Sequence, residues 1–163
     1  MEIIQVIILS FSFLFLFHPR EIMRGKVIDV SDGNTIELLT DENELYKVEL
    51  AGIDCPELNQ PFGPEAKHLL EKSIKGNKVE AFIEGKNRWG VRQAIVMPNT
   101  GDDPRLKLLA EGLAWTSEKN PNPEFESIRV DAQDHGKGLW KDQDPTPPWI
   151  FRRQQTMLTP KFR

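Results

Sequence analysis

Between Gly25 and Ile53 the chain alternates three short strand-like runs with two turn signals, and this pattern constrains the fold more than any other. GKVIDV and NTIELL are separated by Ser31-Asp32-Gly33, whose Asp-Gly pair favours a tight hairpin turn, and TDEN then turns the chain into LYKVELAGI. In that third run Tyr46, Val48 and Leu50 share one face while Lys47, Glu49 and Ala51 share the other, the period of a strand with one side buried. The pattern predicts a β-meander.

The rest of the chain predicts a mixed fold. Pro64 opens PEAKHLLEKSIKG, with Ala66, Leu69, Leu70 and Ile74 at helical spacing and Gly76 as the stop. KVEAFIE and RQAIVM are two further strands, separated by GKNRWG. DDPRLKLLAEG predicts a short helix with Asp103 as its N-cap and Pro104 as its first residue. EFESIRVDAQDHGKGLW predicts a last helix with Phe125, Ile128 and Ala132 on one face, and the Pro-rich DQDPTPPW is extended. Five strands and about three helices, in this order, predict an α+β fold whose strands close into a small barrel.

Composition narrows the chemistry. One cysteine, Cys55, excludes an internal disulfide, and three scattered histidines give no zinc-ligand spacing. The net charge is −4, and since Arg152, Arg153, Lys161 and Arg163 stand after Pro148 without an acid, the body of the chain is more acidic still. Tight grip on a nucleic-acid backbone needs the opposite balance, so any such binding is expected to be weak.

The chain is expected to divide into residues 1–22, a domain over 23–153 and a basic tail over 154–163. The uncharged run Ile3 to Phe17 is shorter than the about 20 residues of a spanning helix. It reads as a poor signal peptide or a marginal membrane anchor, which would place the protein at a membrane or outside the cell. Alternatively translation starts at Met23 and the protein is cytoplasmic. The basic stretch from Arg152 is either solvated or in contact with an acidic surface or the chain's own acidic body.

The stretch KVELAGIDCPE places Glu49, Asp54 and Glu57 within nine residues. Around it VSDGNTIEL, AGIDCPE, QPFGPEAK, NRWG, EGLAW, GKGLW and PPWIFRR follow one another in an order that resembles the staphylococcal nuclease family, over roughly Lys26 to Arg153. The resemblance implies a five-stranded OB-type barrel with helices at its base. It also implies calcium-dependent phosphodiester cleavage, with carboxylates on the metal, a Glu acting on the attacking water and two arginines clamping the phosphate.

Carried over residue by residue, the resemblance makes Asp32, Asn34 and Asp54 the metal positions and Glu57 the catalytic glutamate. Asn34 stands where the family has a charged ligand. Glu49 and Val91 stand where it has its two clamp arginines. Arg88 and Trp89 match positions beside the nucleotide, and Lys47 lies on the face of Glu49.

Glu49, Asp32, Asp54, Glu57 and Asn34 are therefore expected around one point with Lys47 as their counter-cation, either holding calcium or manganese or carrying raised pKa values. The expected function is a nuclease-like domain impaired in hydrolysis that acts as a metal- or partner-binding module. The alternative is an active calcium-dependent nuclease with a clamp rebuilt from Lys47, Arg88 or Arg92; a third reading, a membrane-tethered accessory protein, rests on residues 3–17 alone.

Overall fold

A computed structural model describes residues 21–158. The expectations for the run 3–17, and for nearly all of 1–22, lie outside the described residues, as do 159–163. Among the described residues no helix is long and apolar enough to cross a membrane.

The predicted meander is present as β1 (Ile22–Asp32), β2 (Thr35–Thr40) and β3 (Leu45–Leu50), joined antiparallel in sequence order. A two-residue strand, β4 (Ile53–Asp54), leads to helix α1 (Gly63–Ile74). The hairpin β5 (Lys78–Lys86) and β6 (Arg92–Pro98) then closes the sheet, β5 antiparallel to β1 and β6 parallel to β3. The result is a closed barrel in the order β1-β2-β3-β6-β5. This is the expected five-stranded α+β architecture of OB type.

Alternation explains why the barrel holds. Val27, Val30, Ile36, Leu38, Val48, Leu50, Val79 and Val96 all point inward and are buried, and α1 adds Ala66, Leu70 and Ile74 to the same core. Burying side chains of this size contributes about 1.5–3 kcal/mol each before conformational entropy is set against it. The helices α2 (Pro104–Ala110) and α3 (Pro123–Asp134) start on prolines, and their caps Asp103 and Asn122 accept hydrogen bonds from the Arg105 and Glu124 amides. A second two-residue strand, β7 (Trp115–Thr116), lies between them and pairs with β4, setting Asp54 opposite Trp115.

One difference from the sequence expectation matters for the site. The extended Pro-rich segment ends at Pro147, and a fourth helix, α4 (Pro148–Leu158), runs through residue 153 into what the sequence suggested was tail. Its start on Pro148 repeats the device of the other helices, because a proline at the first helical position lacks only an amide that would be unpaired anyway.

Candidate functional site

The open end of the barrel carries a pocket of about 990 Å³, and of the site residues named from the sequence all but the alternative clamp residue Arg92 line it: Asp32, Asn34, Lys47, Glu49, Asp54, Glu57, Arg88 and Trp89. Val91 lines it as well. Acidic and basic side chains line it in equal number, five of each.

The β1–β2 turn supplies one wall. Asp32 accepts a hydrogen bond from the Asn34 amide at 3.0 Å, and the Asn34 side-chain oxygen accepts one from the Cys55 amide at 3.3 Å. Gly33 is required by proximity, since a Cβ there would stand 2.6 Å from the Cys55 Cβ and 2.8 Å from that of Ala66. Cys55 is buried, its thiol donating to the Gly33 carbonyl, and burial pushes its pKa well up. Its side chain packs in the barrel core.

The turn between β3 and β4 is fixed from outside the pocket. Gly52 adopts φ +84°, a region that favours glycine, and a Cβ there would meet the Phe125 ring at 3.2 Å. Arg105 of α2, almost fully buried, donates to the Ala51 carbonyl at 2.9 Å and is held by Asp103 at 2.6 Å. Its guanidinium also sits 4.8 Å from the Phe125 ring centre. Two helices thus position the strand end that carries Asp54.

Glu49 is built into the pocket wall. Asn87 donates to one of its carboxylate oxygens at 2.6 Å and Gln93 to the other at 3.3 Å. The same Asn87 accepts from the Trp89 and Val91 amides, so this one side chain ties the β5–β6 turn to β3. Burial raises the Glu49 pKa against the pull of these two amides, and the charges of Asp32 and Asp54 raise it further. The expected raised carboxyl is present, but desolvation is its first cause and mutual repulsion a lesser one.

The expected counter-cation was Lys47. The structure supplies Arg152 of α4 instead, whose guanidinium meets Asp54 as a fork at 3.0 and 2.7 Å and reaches Glu57 at 2.8 Å. Such paired, charge-assisted bonds are the strong ones. They raise the Arg152 pKa, while burial still raises that of Asp54. These two shifts weigh the pair oppositely; the short bidentate geometry favours the ionised pair. At Arg152 the basic stretch contacts the chain's own acidic body, one of the readings the sequence left open.

Arg92 does not enter the pocket; it stacks over Tyr46 at 4.4 Å and faces Glu21. The reason is strand alternation, since its neighbours Val91 and Gln93 take the pocket side. Arg88 lies over the Trp89 ring at 4.0 Å, and Trp89 remains 66% exposed at the pocket mouth. Sequence reasoning missed Arg152, Asn87, Gln93 and Arg105. Only Arg152 carried a signal, the acid-free basic stretch after the double proline.

Comparison with known proteins decides the family. The family model described as "Staphylococcal nuclease homologue" matches residues 47–142. The chain belongs to the staphylococcal nuclease family. An "Uncharacterized endonuclease" of Haemophilus influenzae is 34% identical over 83% of this chain and 76% of its own length. One of the same description from Escherichia coli O157:H7 is 30% identical over 82% of this chain and 87% of its own. A rice protein described as "Probable staphylococcal-like nuclease CAN1" is 32% identical over 68% of this chain and 33% of its own.

The staphylococcal nuclease family is generally calcium-dependent, so the fit of this site to the ion matters. Asp54 and Glu57 are both turned to Arg152, and the Asn34 oxygen is turned to the Cys55 amide. Both Glu49 oxygens are taken by amides. Among the described residues no three Asp, Glu, His or Cys side chains are arranged to hold a metal. As folded, this donor set does not fit calcium, which needs six to eight converging oxygens.

Proposed function

We propose that this nuclease-fold domain is impaired in phosphodiester hydrolysis and acts as a binding module that holds single-stranded nucleic acid weakly at its pocket. The observation that carries this reading is Glu49, fixed by Asn87 and Gln93 in the place of a clamp arginine. Replacing Arg by Glu changes the local charge by two units and sets an anion where a phosphate must sit. One arginine that stabilises the transition state is worth about 10³–10⁵ in rate in phosphoryl transfer, and Val91 stands where the second would be.

The ligand class follows from what is left. The relatives' names refer to nucleases, and the exposed Arg88–Trp89 pair offers a cation beside an aromatic face on which any base can stack. Lys47 adds a positive charge on the pocket wall. Balanced charge across the pocket removes the strong backbone attraction of dedicated nucleic-acid binders. The competing reading, an active nuclease with a rebuilt clamp, gains a cation in Arg152, but that guanidinium is committed to the two acids that catalysis would require.

Fluorescence anisotropy with labelled single-stranded DNA and RNA tests the binding. Dissociation constants of about 10⁻⁴ M or weaker that weaken further with salt are expected. Trp89→Ala should weaken binding by roughly tenfold, the loss of one base-stacking contact. Affinity unchanged in Trp89→Ala would contradict the assignment of the platform.

A further inference from the structure

Helix α4 is lightly attached. Pro148 is its one fully buried residue, Trp149, Ile150, Phe151 and Arg152 are half-buried, and the rest of the helix to Met157 and Leu158 is exposed. Just before the helix, Gln60 donates to the Thr146 carbonyl at 2.6 Å, and Trp149 meets the edge of Trp115 with ring centres 5.6 Å apart. Beyond these, Arg152 reaches across to the two acids. A helix with so little buried surface depends strongly on its polar anchors.

The place Arg152 occupies is not neutral ground. Both Asp54 oxygens and one Glu57 oxygen face its guanidinium at 2.7–3.0 Å. A calcium ion bound by the same carboxylates would need those oxygens at about 2.3–2.6 Å. It would also stand a few ångströms from a full positive charge in a partly desolvated site, where repulsion is poorly screened. Ion and guanidinium are therefore alternatives.

We propose that Arg152 is the resident cation of this site, taking the place of a divalent ion and latching α4 over the pocket. The inference rests on the reading of the chain as an impaired nuclease module, because it explains how Asp54 and Glu57 are held close to one another without metal. Arg152 neutralises from within the chain what a metal would otherwise neutralise. Its removal both frees α4 and leaves the two acids open to cations.

The test uses the full chain as wild type, Arg152→Gln and Asp54→Asn, with calorimetry against calcium chloride and manganese chloride and amide hydrogen exchange over residues 148–158. The wild type should give no heat with either metal up to about 1 mM, the weak end of protein calcium sites, and should show slow exchange in α4. Arg152→Gln should speed α4 exchange by about tenfold or more and gain a metal-binding heat. Asp54→Asn removes the fork from the other side and should release α4 to a similar extent, so the latch is tested even if one variant folds poorly.

Metal heat in the wild type with α4 still protected would overturn the proposal. So would a folded Arg152→Gln chain that stays blind to both metals, or one whose α4 exchanges as slowly as the wild type. Calcium-dependent cleavage by the wild type would defeat the functional reading and, since it needs calcium at these same carboxylates, the resident-cation proposal with it. A metal-blind Arg152→Gln chain would defeat the latch and leave the functional reading in place.

Discussion

Glu49 is the residue on which the chemistry turns. Its half-buried carboxyl is raised above the ordinary glutamate value of about 4.3, first by desolvation. A raised folded pKa means that the native state binds more protons than the unfolded state between the two values. Stability is therefore full below the unfolded pKa and is lost as pH rises through the folded one. Glu49→Gln, which keeps the shape and removes the charge, should raise stability near about pH 7 and lose that advantage below about pH 4. Urea unfolding across pH measures this; an equal gain at both ends would assign the effect to packing instead. Glu49 was legible as an anomaly in the sequence because it interrupts a pattern. Its amide partners were not, since Asn87 and Gln93 reach it only through closure of the barrel, 38 and 44 residues along the chain.

At the scale of elements, the site is held by parts that do not line it. Arg105 of α2 joins Asp103 to the Ala51 carbonyl, and both side chains of this pair are nearly buried. Removing one partner of such a pair leaves a buried charge uncompensated, so Arg105→Ala should cost about 3–5 kcal/mol in urea unfolding. Because the lost bond to Ala51 anchors the turn to β4, amide exchange at Gly52 to Asp54 should rise with it. A loss under about 1 kcal/mol would show the pair to be screened like a surface one. The cap at Asp103 was readable from the Asp-Pro signature, whereas its second bond to Arg105 was not, because helix-start signals say nothing about what the cap's free oxygen meets. Helix α4 was missed for a related reason. Its Pro-Pro approach reads as extended, and its residues carry too few buried apolar positions for periodicity to announce a helix.

Across the whole molecule, the barrel was readable because each strand alternates and each turn is marked, so local pattern and global fold agree. Its closure, and the parallel pairing of β3 with β6, follow from topology that no single segment encodes. The same limit applies to function. The carboxylates were in view from the start, but the guanidinium between them comes from a helix 98 residues beyond Asp54. An acidic cluster with an internal cation differs chemically from one awaiting a metal, and with Glu49 in the wall the pocket is a poor place to develop negative charge on a phosphate.

The central claim, a nuclease fold impaired in cleavage, is tested most directly by incubating the full chain with single-stranded DNA and RNA, with calcium and with chelator, beside Glu57→Gln. The account predicts no calcium-dependent shortening of either nucleic acid beyond the Glu57→Gln background. Calcium-dependent cleavage that Glu57→Gln abolishes would contradict it.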